Sequence, residues 1–261
     1  MQGSNKVVAH TPAISNDANA TLPSIRLGAL SVEPYPDMRH LLAAVFRPDG
    51  SVRAGSGIAI NTEKVMASLN DPELVDSTRA ATVRFADGAG VVWALRRRGF
   101  RVPRLTGVEF WNALMAESAE RGARVFLLGG APGVVDEVAE RLRTQYPKIQ
   151  ICGTRHGYLS AEEQTGLEAQ IVRTRPNVVT VAMGSPLQER LILRLRISHP
   201  EAFYLGVGGT YDVYTGRVKR APRFLQQHGL EWLYRLMRQP ARARRQTALL
   251  RFVSLEMRGL L

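Results

Sequence analysis

A single cysteine, Cys152, is all the thiol this chain carries, which excludes a disulfide framework and a cysteine-built zinc site. No apolar run approaches the roughly 18–20 residues that a bilayer-spanning helix needs. The five histidines are scattered, and neither H-E-x-x-H nor D-x-D occurs, so metal-dependent hydrolysis has no ligand set to start from. The G-x-G-x-x-G fingerprint is absent too, and no acidic residue ends the apolar segment near Cys152 to hold a ribose, which argues against a nicotinamide cofactor. The opening stretch, MQGSNKVVAHTPAISNDANATLP, is polar and lacks the apolar centre of a signal peptide. Residues 1–22 therefore read as a disordered N-terminus, and the whole as a cytoplasmic protein.

What is present is a globular composition with a lopsided charge. Apolar residues make up 45% and charged ones 22% of 261 residues, enough for one large domain or a core with an appendage. The net charge is +12, and the segment from Arg217 to Leu261 holds +9 of it, with eleven Arg or Lys against Glu231 and Glu256. Such a tail fits nucleic acid, anionic lipid or a phosphorylated ligand. Its apolar residues are mainly aliphatic, without an interleaved aromatic stacking platform, so nucleic acid is not expected.

Short apolar runs alternate with helix-like stretches between about 57 and 210. GIAIN (57–61), TVRFA (82–86), RVFLLGG (124–130), IQICG (149–153), NVVTVAMG (177–184) and AFYLGVGG (202–209) read as strands. Residues 63–69, the run after Asp87, and PGVVDEVAERLRTQY read as helices, the last with Val134, Val138 and Leu142 at helical spacing. This alternation predicts an α/β fold, a Rossmann-like and mostly parallel sheet flanked by helices, with a helical C-terminal appendage. The predicted division is a core over 23–216 and a basic amphipathic, membrane-associating segment over 217–261.

Parallel sheets bind ligands at the carboxyl ends of their strands. Four glycine-bearing loops fall there: 86–90 (ADGAG), 129–133 (GGAPG), 184–188 (GSPLQ) and 206–210 (GVGGT). Each alone is more often a turn, but four in one sheet point to a site for a phosphorylated ligand. In the tail, a helix is expected over 241–260 after Pro240. At 100° per residue, Leu249, Phe252, Val253, Met257 and Leu260 share one face and Arg244, Arg251 and Arg258 line another. This suits an interfacial membrane helix, or equally a terminal helix packed on its own domain with a solvated arginine face. Arg242 and Arg245 fall with the apolar side, where they could reach a buried anion.

The remaining chemistry is transfer from a nucleotide-linked donor. Inverting glycosyl transfer needs a carboxylate base for the acceptor hydroxyl and donors for the departing pyrophosphate. Asp87, directly after a predicted strand and beside Gly88 and Gly90, can be that base; it can also be a turn former or helix cap.

The motifs AINTEKV (59–65), FADGAGVV (85–92), RLTGVEFW (104–111), FLLGGAPG (126–133), VAMGSPLQE (181–189), GVGGTYDVYTGRVKRAP (206–222) and GLEWLYRLMRQPARARRQ (229–246) carry a resemblance. From about Ile25 onward the chain resembles the WecG/TagA/CpsF family of bacterial glycosyltransferases. The last two motifs are closest to its N-acetylmannosaminuronic acid-transferring branch. The resemblance implies transfer from a UDP-sugar donor to a polyprenyl-diphosphate-linked sugar acceptor at the inner-membrane surface, with no cofactor and no metal. It implies Asp87 as general base and Asn61, Arg104 and Gln188 as polar pocket residues. Arg235, Arg242 and Arg245 match the arginines that complete the site over the diphosphate. The loop glycines, Gly129, Gly130, Gly184, Gly208 and Gly209, are then expected to hold the UDP. Teichoic-acid members carry a Thr where Ala59 stands, which favours a different donor or acceptor here. A glucosyltransferase of the exopolysaccharide type shares these motifs, and a non-catalytic nucleotide-sugar or membrane-binding protein would keep the loops and tail without needing Asp87. Whether the tail is also covered in a homo-oligomer is open at this stage.

Overall fold

The structure is a computed structural model and describes residues 17–18, 20–219, 222, 224 and 243–261. In chain order the described elements begin with a small hairpin, β1 (Ile25–Leu27) and β2 (Leu30–Val32), then α1 (Met38–Ala43). Next come β3 (Gly55–Ile60), α2 (Thr62–Ser68), α3 (Pro72–Arg79), β4 (Val83–Ala86), α4 (Ala89–Arg97) and α5 (Gly107–Glu120). The second half runs β5 (Arg124–Gly129), α6 (Val134–Gln145), β6 (Gln150–Arg155), α7 (Ala161–Thr174), β7 (Val178–Ala182), α8 (Leu187–Ser198), β8 (Phe203–Gly206) and α9 (Thr210–Tyr214). A last helix, α10, spans Ala243–Met257.

Six strands form one parallel sheet in the order β4-β3-β8-β7-β5-β6, and β1 and β2 pair antiparallel. The six apolar runs of the sequence are these six strands. The four inner strands read as continuous apolar runs because helices cover both faces, so neither face selects polar residues. The edge strands differ, β4 carrying the half-buried Arg84 and β6 having no buried residue and ending in Thr154 and Arg155. Alternation then divides each strand: Phe203 and Leu205 of β8 enter one core with α5, α6 and α9, and Tyr204 enters another with α7 and α8. A third cluster, on the same face as α7 and α8, joins Ile58 and Ile60 of β3 to Val65 of α2, Val91 and Leu95 of α4, and Phe252 of α10.

The last helix is thus packed on the sheet domain through one stripe. Phe252 is fully buried, and Glu256, also buried, pairs with Arg98 at the end of α4. Arg98 Nη2 also donates to Glu256 Oε2 at 3.0 Å and to the Leu261 carbonyl at 2.9 Å. The apolar face expected from the sequence is therefore divided. Leu249 and Phe252 face the domain, while Val253, Met257 and Leu260 are exposed, as is Leu250 at 73%. The buried stripe is instead completed by Ala248 and Leu255, which pack on the same cluster as Phe252, and by Glu256 paired under the helix with Arg98.

Candidate active site

The crevice lies where the chain leaves the strands in opposite directions. β5 and β8 lead into α6 and α9 on one face, whereas β3 and β7 lead into α2 and α8 on the other. Adjacent strands whose connections diverge leave a cleft at their carboxyl ends.

At the β4 end of this cleft stands Asp87. The pairing of Ile60 with Ala86 brings the next residues of both strands, Asn61 and Asp87, side by side. The Asp87 N–H donates to the Ile60 carbonyl at 2.9 Å. Gly90, in the first turn of α4, permits the close packing of that turn on α2, since a Cβ there would stand 2.5 Å from Thr62 Cγ2. The Asp87 carboxylate is half-buried, and its Oδ2 accepts a long hydrogen bond of 3.4 Å from the Gly107 N–H. Gly107 opens α5, whose N-terminus is fixed by a capping box between Thr106 and Glu109. The positive end of a 14-residue helix thus meets the carboxylate.

Arg104 is half-buried in the segment that delivers this helix end, two residues before the Thr106 cap. The structure therefore places Asp87 and Asn61 together at the ends of β3 and β4, with Arg104 three residues before the Gly107 N–H that meets Asp87. Asn61 has a task in the fold as well: its Oδ1 accepts from the Lys64 N–H at 2.9 Å and caps α2.

The glycines expected to hold a diphosphate divide into two kinds. Gly129 (φ 115°) is a packing glycine; a Cβ would stand 2.4 Å from the Ala182 carbonyl oxygen. The neighbouring Gly130 N–H already donates to that carbonyl at 2.8 Å, so this amide is engaged within the sheet. Gly184, Gly208 and Gly209 are different, because a Cβ on any of them would meet no atom within 4 Å. They border open space. The Gly208 N–H is nonetheless engaged, donating to Gln188 Oε1 at 2.9 Å. With strands about 4.8 Å apart, β8 lies about 10 Å and β5 about 19 Å along the sheet from β4. Asp87 and the open glycines are therefore separate parts of one elongated cleft.

Gln188 is almost wholly buried, and beside it sits an ion pair to which sequence reading gave no role. Lys64 Nζ lies 2.9 Å from Glu189 Oε1, with both side chains buried. Burial raises the Glu189 pKa, but the pull of Lys64 and the hydrogen bond from Gln188 outweigh it and hold the carboxyl below its usual value. Both residues lie inside quoted motifs, yet nothing in their spacing marks them as partners.

Of the C-terminal arginines, Arg235 and Arg242 lie outside the described residues, as do the side chains of Arg244 and Arg245. Arg251 and Arg258 are exposed. The helix that carries them begins at the cleft end of the domain: Leu249 Cδ1 lies 3.3 Å from where a Gly90 Cβ would be, while Glu256 meets Arg98 at the far end of α4. Among the described residues no group of three or more His, Cys, Asp or Glu gathers as a metal site, and no helix is long and apolar enough to cross a membrane.

A parallel α/β sheet with a carboxylate and open glycine loops along its strand-end cleft defines a ligand-binding enzyme fold of the Rossmann-like class. Residues 34–261 match the model of the glycosyl transferase WecG/TagA/CpsF family, and the chain belongs to that family. It is accordingly a glycosyltransferase.

Proposed function

We propose that the protein is an inverting, metal-independent glycosyltransferase of bacterial surface polysaccharide synthesis. Its donor is UDP-N-acetyl-D-mannosaminuronic acid and its acceptor undecaprenyl-diphosphate-linked GlcNAc. The observation that carries this reading is the placement of Asp87 at the cleft edge, beside Asn61 and against the N-terminus of α5. The acceptor hydroxyl oxygen bonds to the anomeric carbon, its proton passes to Asp87, and the bond to the UDP oxygen breaks with its electron pair leaving on UDP. Arg104, in the segment leading to α5, is the cation assigned to the donor's sugar carboxylate. The open glycines at 184, 208 and 209 give the nucleotide room to approach the backbone. Arg235, Arg242 and Arg245 are assigned to the departing diphosphate, supported by α10 starting at the cleft end.

The acceptor's lipid calls for a membrane-facing surface. The exposed ridge of Leu250, Val253, Met257 and Leu260, with Arg251 and Arg258 on the other exposed flank of α10, supports docking at the cytoplasmic face of the inner membrane. The membrane-facing role expected of Arg244 belongs to the same reading.

A panel of UDP-sugars and lipid-diphosphate acceptors, with and without EDTA, tests the assignment. Transfer from the mannosaminuronate donor, unchanged by EDTA, is expected. Preferential transfer from UDP-glucose would replace the donor, and loss of transfer in EDTA would overturn the metal-free chemistry.

A further inference from the structure

The Lys64–Glu189 pair is not explained by stability alone. Buried ion pairs generally add little over apolar side chains of the same shape, because desolvating two charges offsets their attraction. This pair instead sits at the centre of a chain of hydrogen bonds that joins the carboxyl ends of β3 and β8. The Gly208 N–H donates to Gln188 Oε1 at 2.9 Å, and Gln188 Nε2 donates to Glu189 Oε1 at 3.1 Å. Lys64 Nζ approaches the same carboxylate oxygen at 2.9 Å and donates to the Ala59 carbonyl at 3.2 Å. The Lys64 backbone N–H, in turn, is held by Asn61. The chain thus links the end of β3 to α2, α8 and the loop after β8.

Its logic is directional. An ionised carboxylate can only accept, so Gln188 must turn its Nε2 towards Glu189. A backbone N–H can only donate, so Oε1 must face Gly208. One amide orientation satisfies both demands, and the flipped one satisfies neither. The charge on Glu189 is maintained by Lys64, whose ammonium is buried against it. Gly206 leaves the space, since a Cβ there would stand 2.6 Å from Gln188 Nε2.

We propose that Lys64 and Glu189 are positioning residues that lock the Gln188 amide and thereby fix the Gly208–Gly209 loop for the nucleotide diphosphate of the donor. The proposal rests on the glycosyltransferase reading for its ligand, but not for its geometry. The test compares wild type, Glu189→Gln and the charge-free Lys64→Met/Glu189→Gln double variant. Gln at 189 keeps the shape and removes the acceptor-only character. Amide hydrogen exchange at Gly208 should speed up roughly threefold to tenfold in both variants, the loss of about one hydrogen bond. The KM for the UDP-sugar should rise while the KM for the lipid acceptor holds. The double variant, freed of the unpaired lysine, should melt closer to wild type than Glu189→Gln alone. Unchanged Gly208 exchange and donor KM, with only the melting temperature lowered, would reduce the pair to a structural role and overturn the proposal. If the wild type transfers no sugar, the functional reading fails, while Gly208 exchange still decides whether the lock exists.

Discussion

The two ends of the strand-end cleft are built by different means. Around β3 and β4, side chains and helix termini make the site: Asp87 meets the start of α5, and Asn61 caps α2. Around β5, β7 and β8, glycines make it, and they do so in two ways. Gly129 lets two strand ends touch, whereas Gly184 and Gly209 face open space. A glycine after a strand is therefore not by itself evidence of a ligand. Open space above a glycine is not sufficient either, since Gly166 in α7 and Gly259 after the last helix have it too. What sets Gly184, Gly208 and Gly209 apart is open space together with a place at the carboxyl ends of β7 and β8.

The comparison can be broken first at its chemical end. Asp87→Asn keeps the shape and the Gly107 contact but removes the base, so turnover should fall on the order of 10²–10⁴-fold. The melting curve should stay close to wild type. A variant that turns over normally would remove Asp87 as base.

The glycine end offers a stability contrast. Gly129→Ala would drive a methyl into the Ala182 backbone and should cost about 2 kcal/mol or more, read as a lower denaturant midpoint. Gly209→Ala has open space and an ordinary φ of −84°, so its midpoint should move by no more than about 0.5 kcal/mol. Equal effects would erase the distinction between packing and cleft glycines.

The last helix can be divided in the same way. Phe252→Ala empties a fully buried site and should cost about 3–5 kcal/mol. Met257→Ser, on the exposed ridge, should leave folding within about 0.5 kcal/mol and weaken flotation with anionic vesicles. Vesicle binding unaffected by Met257→Ser together with Leu250→Ser would remove this ridge as the lipid contact.

The smallest effect concerns acid. Because the Glu189 pKa is lowered on folding, its ionised form contributes stability that is complete above the ordinary Glu value of about 4.3 and is lost as pH falls through the depressed one. Denaturant titrations below that value should show wild type losing this increment and Glu189→Gln lacking it.

Much of the frame was legible in the sequence, for identifiable reasons. Strands buried on both faces announce themselves as apolar runs, as the four inner ones did, while the edge strand β6 showed itself only through its short apolar start at Ile149–Cys152. The three-residue strands of the β1–β2 hairpin are too short for any period to register. The start of α5 is written in the sequence, since Thr106 and Glu109 are a capping box three residues apart inside the RLTGVEFW motif. Asp87 stood out as a residue following a strand and Asn61 through the family resemblance; that they are neighbours depended on the β3–β4 register, which single strands do not encode. The buried stripe of α10 was misplaced because Glu256 counts as polar in any periodicity, while its pairing with Arg98 makes it a buried residue. Lys64 and Glu189 were hidden for the same reason.

The central claim is a division of labour, with chemistry at Asp87 and nucleotide binding at the open glycines. Calorimetric titration of UDP into Asp87→Asn and Gly209→Leu tests it most directly. The account predicts that Asp87→Asn, though nearly inactive, binds UDP as wild type does, and that Gly209→Leu folds but loses UDP affinity. UDP binding that fails in Asp87→Asn and survives in Gly209→Leu would contradict it.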